Sequence, residues 1–228
     1  MGTFLSLLLY ISYALFLGRI AWRFCLLART PLRLKSSQAA TKQHGILRSA
    51  KSAADILFLS RLFRVNPCLW TGEWLFHATF VFVLVRHLRY VIHPAPSWLA
   101  SYQTFGICSG YVLVASLLFI FAYKLIADRD GYVSSYNFFI LSLISLISLT
   151  GILMKTVLKL DVTSVKYFML GTFTFQPGPA PDSITFVIHY ITSMVLLIFI
   201  PSHIFTAPYT MLEARKRDED LRLVLHEK

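Results

Sequence analysis

Two membrane-length apolar runs, each with a histidine near either end, constrain this chain more than any other feature in it. The first reads Gly72-Glu-Trp-Leu-Phe-His77 through Val85-Arg86-His87-Leu-Arg89-Tyr90, and the second reads Ile188-His189-Tyr190 through Ile200-Pro201-Ser202-His203. Segments of this length cross a bilayer as helices, because only a helix satisfies its own backbone groups in lipid. At ~1.5 Å rise per residue, His77 and His87 stand ~15 Å apart and are turned by ~80° about the axis. His189 and His203 stand ~21 Å apart and are turned by ~40°. Each helix therefore presents both of its imidazoles to roughly one side. Ionisable groups at membrane depth are costly, and where they occur they mark function.

The remaining composition agrees with a membrane chain. Of 228 residues, 56% are apolar and 15% aromatic, and the mean hydropathy is +0.63, well above that of a soluble domain. Cys25, Cys68 and Cys108 are scattered, with no C-x-x-C or C-x-x-C-H spacing, which excludes iron–sulfur, c-type haem and structural zinc ligation. The formal charge of +11 raises the question of nucleic acid. In a polytopic chain the same excess is explained by the distribution of basic residues between loops, so no nucleic acid is expected.

Five spans are expected, over about 2–24, 69–92, 104–127, 132–154 and 183–210, forming one all-α domain over residues 1–212. The first has no positively charged leader and no small-residue cleavage site, and so reads as a helix. A basic loop over 25–68 follows: from Arg19 to Arg64, ten Lys/Arg stand against the single acid Asp55. Within it, Ile46 to Phe63 alternates apolar and basic residues as a surface helix does. Ile92-His-Pro-Ala-Pro-Ser-Trp98 is a proline-broken turn, and Asp128-Arg-Asp-Gly131 a short polar one. Ser142, Ser145 and Ser148 form a stripe of the kind that packs helices closely. Lys155 to Asp182 is a polar, proline-rich loop, and residues 213–228 form a tail with five basic and five acidic residues.

Placing the basic loop in the cytoplasm sets the N-terminus outside and the C-terminus inside, with 17 Lys/Arg in inner segments against three in outer loops. The second and fifth spans then run antiparallel. His77 pairs with His203 at the inner end, and His87 with His189 at the outer. Imidazole is the common axial ligand of haem iron, so the expectation is a di-haem, four-histidine bundle holding two haem b. The unequal spacings require helix tilt or a bend at Pro201.

These residues resemble a known family. Leu75-Phe76-His77 with His87 ten residues on, and His189 with Pro201 twelve residues on, is similar to the five-helix di-haem cytochrome b (gamma) subunit of respiratory nitrate reductases. The fuller string Arg64-Val-Asn-Pro67, Trp70-Thr-Gly-Glu73-Trp-Leu-Phe-His77 and Arg86-His87-Leu-Arg89-Tyr90 looks more like the membrane cytochrome b subunit of sulfite-reductase-associated (Dsr-type) electron-transport complexes. The resemblance implies an inner-membrane, quinol-oxidising electron-transfer subunit that exchanges electrons between menaquinol or menaquinone and a cytoplasmic iron–sulfur partner. It also implies sulfur- or nitrate-type metabolism and a larger complex with other membrane and periplasmic cytochrome subunits. In one respect the chain departs from the nitrate-reductase pattern. The inner ligand there falls six residues past the proline, at Ala207 here, whereas this chain offers His203 one turn earlier.

Quinol oxidation needs a hydrogen-bonding or titratable group open to water beside an electron acceptor. Tyr90 and His93, with Arg86 and Arg89, supply such a cluster beside His87, and the arginines suit haem propionates. Glu73, one turn before His77, is placed to bond a ligand or a propionate. Two rivals come from other classes: a transporter or proton channel relaying protons through the histidines, and a haem-free membrane anchor.

Overall fold

The structure is a computed structural model, and it describes residues 1–29, 54–127 and 135–203. The helices that organise them are α1 (Gly2–Arg29), α2 (Ser60–Val65), α3 (Pro67–His87), α4 (Ser97–Ser101), α5 (Gln103–Ala127), α6 (Ser135–Thr156), α7 (Val162–Phe173) and α8 (Ile184–His203). Five of these, α1, α3, α5, α6 and α8, are long and apolar enough to cross a membrane. The described residues contain no strand. Leu7, Ile11, Leu15 and Trp22 of α1 and Leu118 and Leu125 of α5 are exposed, as expected of surfaces that meet lipid.

Local chemistry sets where the elements start and stop. Asn66 caps α3, its side chain accepting from the Leu69 N–H at 3.0 Å, and Pro67 fills the first helical position, where its missing N–H costs nothing. After His87 the chain tightens into a 3-10 turn, Leu88–Tyr90. The amphipathic segment expected over Ile46 to Phe63 is not one helix. Its part over 46–53 lies outside the described residues, and the remainder is interrupted at Leu59, which takes the left-handed conformation at φ 49°, unfavourable for any residue with a bulky side chain. The basic residues Arg19 and Arg23, expected to open the cytoplasmic loop, lie on α1, which continues to Arg29. The turn at 128–131, the end of the fifth span beyond 203 and the tail from 213 lie outside the described residues.

The loop expected over 155–182 contains α7, which hydropathy alone does not reveal because the helix is too short to span. Asp161 caps it, accepting from the N–H groups of Thr163 at 3.0 Å and Ser164 at 2.9 Å. The inward face of α7 is apolar. Val165 and Phe168 pack with Leu5 and Leu9 of α1 and Phe186 and Tyr190 of α8, and Tyr90 joins the edge of this cluster. Ser6 bonds Thr172 across the same seam at 2.7 Å, and the Tyr10 hydroxyl donates to the Thr172 carbonyl at 2.6 Å. A second cluster, Leu113, Leu117, Ile140, Ile144 and Leu196, joins α5, α6 and α8 deeper in the bundle.

Helices α3 and α5 lie against each other through two glycines. A Cβ on Gly72 would stand 2.5 Å from the Phe119 ring, and one on Gly106 would stand 2.5 Å from Cδ of Arg86. Small residues of this kind are what lets helices approach in a bilayer. The Asn66 amide donates to the Tyr123 hydroxyl at 2.6 Å, and Glu73 pairs with Lys124 at 3.3 Å, which fixes the lower end of the same helix pair. Ser142, Ser145 and Ser148 are half-buried along α6.

Candidate haem-binding site

The four histidines meet in the two pairs expected from antiparallel helices. His77 of α3 faces His203 of α8 with ring centres 6.3 Å apart and planes 16° apart, and His87 faces His189 at 6.3 Å and 10°. Equal distances at both levels mean that helix inclination and side-chain direction absorb the difference between the ~15 Å and ~21 Å axial spacings.

The distance can be compared with that of two imidazoles sharing one metal. A five-membered ring with ~1.33 Å bonds has corners about 1.1 Å from its centre, and a metal–imidazole bond is about 2.0–2.1 Å. Two imidazoles binding one metal from opposite sides therefore have centres about 6.2–6.4 Å apart. Both pairs fall in that window.

The ring nitrogens agree with this reading. Nδ1 of His77 lies 2.6 Å from the Glu73 carbonyl and Nδ1 of His87 lies 2.7 Å from the Val83 carbonyl. A carbonyl only accepts, so each Nδ1 carries a proton, and in a neutral ring of that tautomer Nε2 has the free lone pair. His189 reaches the same state through another helix. Its Nδ1 donates to the Ile147 carbonyl at 3.0 Å and lies 3.1 Å from Oγ1 of Thr150. Because the Thr150 hydroxyl donates to the Leu146 carbonyl at 2.8 Å, its oxygen is available to accept. A Cβ on the adjacent Gly151 would stand 3.3 Å from Cε1 of His189, so α6 presses on this ring closely.

The donor set suits haem better than a bare ion. No group of three or more His, Cys, Asp or Glu able to hold a metal occurs among the described residues. A porphyrin supplies its own four equatorial nitrogens and needs from the protein only two axial ligands. Among the described residues His77 and His189 are half-buried and His87 and His203 exposed.

With this geometry in hand, the chain proves similar to cytochrome b-like subunits of Hdr-like menaquinol oxidoreductases. The subunit of that name from Archaeoglobus profundus is 26% identical over 150 residues, covering 58% of this chain and 44% of that one. The corresponding subunit of Archaeoglobus fulgidus is 28% identical over 149 residues, covering 58% of this chain and 45% of its own. The chain thus spans less than half the length of these relatives. No family model matches it, and no solved structure does. Both relatives are named as cytochrome b-like subunits, and five helices of this chain are long and apolar enough to cross a membrane. The likeness to nitrate reductase gamma subunits rests on the histidine and proline spacings alone.

Around the outer pair, the expected quinone residues separate. The Tyr90 ring centre lies 5.9 Å from that of His87, and Cζ of Arg89 lies 5.5 Å from the Tyr90 ring centre. Arg86 runs its stem along Gly106, and its Nε is buried without a hydrogen-bond partner among the described residues. His93 is exposed in the turn beyond, and no described ring contact or hydrogen bond joins it to the other three. Sequence reasoning missed two groups here. The first is the Thr150–Gly151 pair of α6, whose role depends on a contact across helices. The second is Tyr190, buried next to His189 in the chain, with a hydroxyl that has no hydrogen-bond partner among the described residues.

Beside the His77–His203 pair, Glu73 makes a contact across helices that the sequence did not show. Its carboxylate pairs with Lys124 of α5 rather than with a histidine, and it serves His77 through its backbone carbonyl. Ala207, the alternative position for the inner ligand, lies outside the described residues.

Proposed function

We propose that this chain is the quinone-reactive di-haem b subunit of a membrane oxidoreductase, with His77 and His203 holding the inner haem and His87 and His189 the outer. Haem b, when bound, supplies reversible one-electron transfer. The observation that carries the reading is the equal 6.3 Å separation of two near-parallel imidazole pairs.

The protein's own groups do the rest. Carbonyls of Glu73, Val83 and Ile147 hold the Nδ1 protons and so aim each Nε2, the outer-shell arrangement that raises ligand basicity and fixes ring orientation. Arg86 and Arg89 bring positive charge beside the outer pair, where propionate carboxylates need it. Tyr90, whose ring centre lies 5.9 Å from that of His87, is the favoured partner for a quinone oxygen. His93, exposed beyond it, is placed to pass protons to water. Menaquinol or menaquinone is the substrate this reading takes, following the names of the two similar subunits. An iron–sulfur partner docks on the cytoplasmic side of the inner membrane, the side assigned to the first loop by its excess of Lys/Arg, with other cytochrome subunits in the same complex. The Dsr- or Hdr-like class is preferred to the nitrate-reductase class.

A proton relay through the histidines is disfavoured by the same distances. Ring centres at 6.3 Å leave about 4 Å between the closest ring atoms, beyond the ~3.2 Å limit of a hydrogen bond.

The test is a pyridine haemochrome assay on the purified complex. Two b-type haems for each copy of this chain are expected. A preparation that is intact and lacks a b-type spectrum would reduce the chain to a haem-free anchor.

A further inference from the structure

Arg19 lies about five turns along α1, and its guanidinium turns toward α8. Nη1 donates to the Ile198 carbonyl at 2.7 Å, and Cζ stands 5.5 Å from the centre of the Phe199 ring. From α6, the Tyr136 hydroxyl donates to the next carbonyl, that of Phe199, at 3.1 Å. Phe139 of α6 meets the Phe199 ring edge-on at 5.2 Å. Two consecutive carbonyls of α8 are thus held by side chains of two different helices, one turn before His203.

That turn is where α8 most needs support. Pro201 has no N–H, so the carbonyl of Leu197 loses its helical partner, and the proline ring crowds the same turn. A carbonyl has a second lone pair, so a side-chain donor adds to the helical bond instead of replacing it. A guanidinium donor makes the stronger, charge-assisted form of that bond. A charged group on a membrane helix that bonds a backbone carbonyl is in the arrangement that marks functional positions.

We propose that Arg19 and Tyr136 are positioning residues for His203, holding the Pro201 turn of α8 from two sides so that the imidazole stays opposite His77. The proposal rests on the paired-imidazole reading above. It is specific to one pair. His189 is nine residues, ~14 Å, from the nearer clamp and takes its orientation from Ile147 and Thr150 of α6.

The experiment uses the full-length chain in its native membrane complex, with variants Arg19→Leu, Tyr136→Phe, the two combined, and Arg19→Lys. The readout is the low-spin ferric haem signal of each pair in electron paramagnetic resonance, the inner signal being the one lost in His77→Ala. Each single variant should shift the inner signal, and the double variant should lose it, with the outer signal at full intensity. Arg19→Lys keeps a cationic donor and should retain most of the inner signal. A double variant with both signals unmoved would overturn the proposal. So would a Tyr136→Phe variant, the mildest change, in which both signals fall together, because that is the mark of general misfolding. Absence of both signals from the unmodified complex would instead reject the haem reading itself.

Discussion

A histidine at membrane depth acquires meaning from what its second nitrogen does. In His77 and His87, Nδ1 donates to a carbonyl of the same helix, and in His189 the Ile147 carbonyl and the Thr150 oxygen share the proton. Thr150→Val keeps the side-chain volume and the Ile147 carbonyl while removing the second acceptor. Losing an outer-shell partner of this kind typically costs about 10-fold or more in metal affinity. The expected outcome is weaker outer-haem occupancy under limiting haem, with the inner haem unchanged, measured by haem titration followed at the two absorbance maxima. Equal occupancy of both sites in the variant would show that α6 does not orient His189. The four histidines were legible in the sequence because two spacings on two apolar runs suffice to pair them. Thr150, Gly151 and the Glu73–Lys124 pair were not, since each acts on a residue of another helix and leaves no periodic trace.

At the scale of the element, α7 shows where hydropathy reading stops. Residues 155–182 fail every test for a span, yet Asp161 is a capping residue and Val165, Phe168, Met169 and Thr172 follow at helical spacing. That pattern was available in the sequence and escapes notice when loops are judged only by whether they cross. The Ser164 hydroxyl, and after it the N–H groups of Thr163 and Ser164, bond the Asp161 carboxylate and hold it below the usual carboxylate range. A carboxyl lowered on folding stabilises the helix above its unfolded value and loses that contribution as pH falls through the lowered one. Protection of the Thr163 and Ser164 amides in hydrogen exchange should therefore be full at neutral pH and decline only in strong acid. Asp161→Asn should flatten this dependence. An acid profile identical in the variant would assign the start of α7 to packing alone. The interruption at Leu59 was beyond sequence reading for the opposite reason, since nothing in the apolar run Leu57-Phe58-Leu59 announces a left-handed residue.

For the whole molecule, five spanning helices were legible from hydropathy, and the antiparallel relation of the second and fifth from their order. What orders the bundle around them was not. Helices α3 and α5 are drawn together at Gly72 and Gly106, α6 reaches into the outer pair, and α7 closes over α1 and α8 beside Tyr90. Arg19 on α1 bonds Ile198 of α8, which places these two helices side by side at that level. Under the proposed orientation the His77–His203 end of the bundle is the cytoplasmic one. The proposal assigns quinol chemistry to the His87 end and partner docking to the His77 end. Both assignments depend on the pairing of imidazoles across α3 and α8. Optical spectra of histidine variants in the intact complex test that pairing most directly. His87→Ala and His189→Ala are each expected to remove the same b-type haem and leave the other, and His77→Ala and His203→Ala to remove the remaining one. Loss of different haems in His87→Ala and His189→Ala, or retention of both haems in His203→Ala, would contradict it.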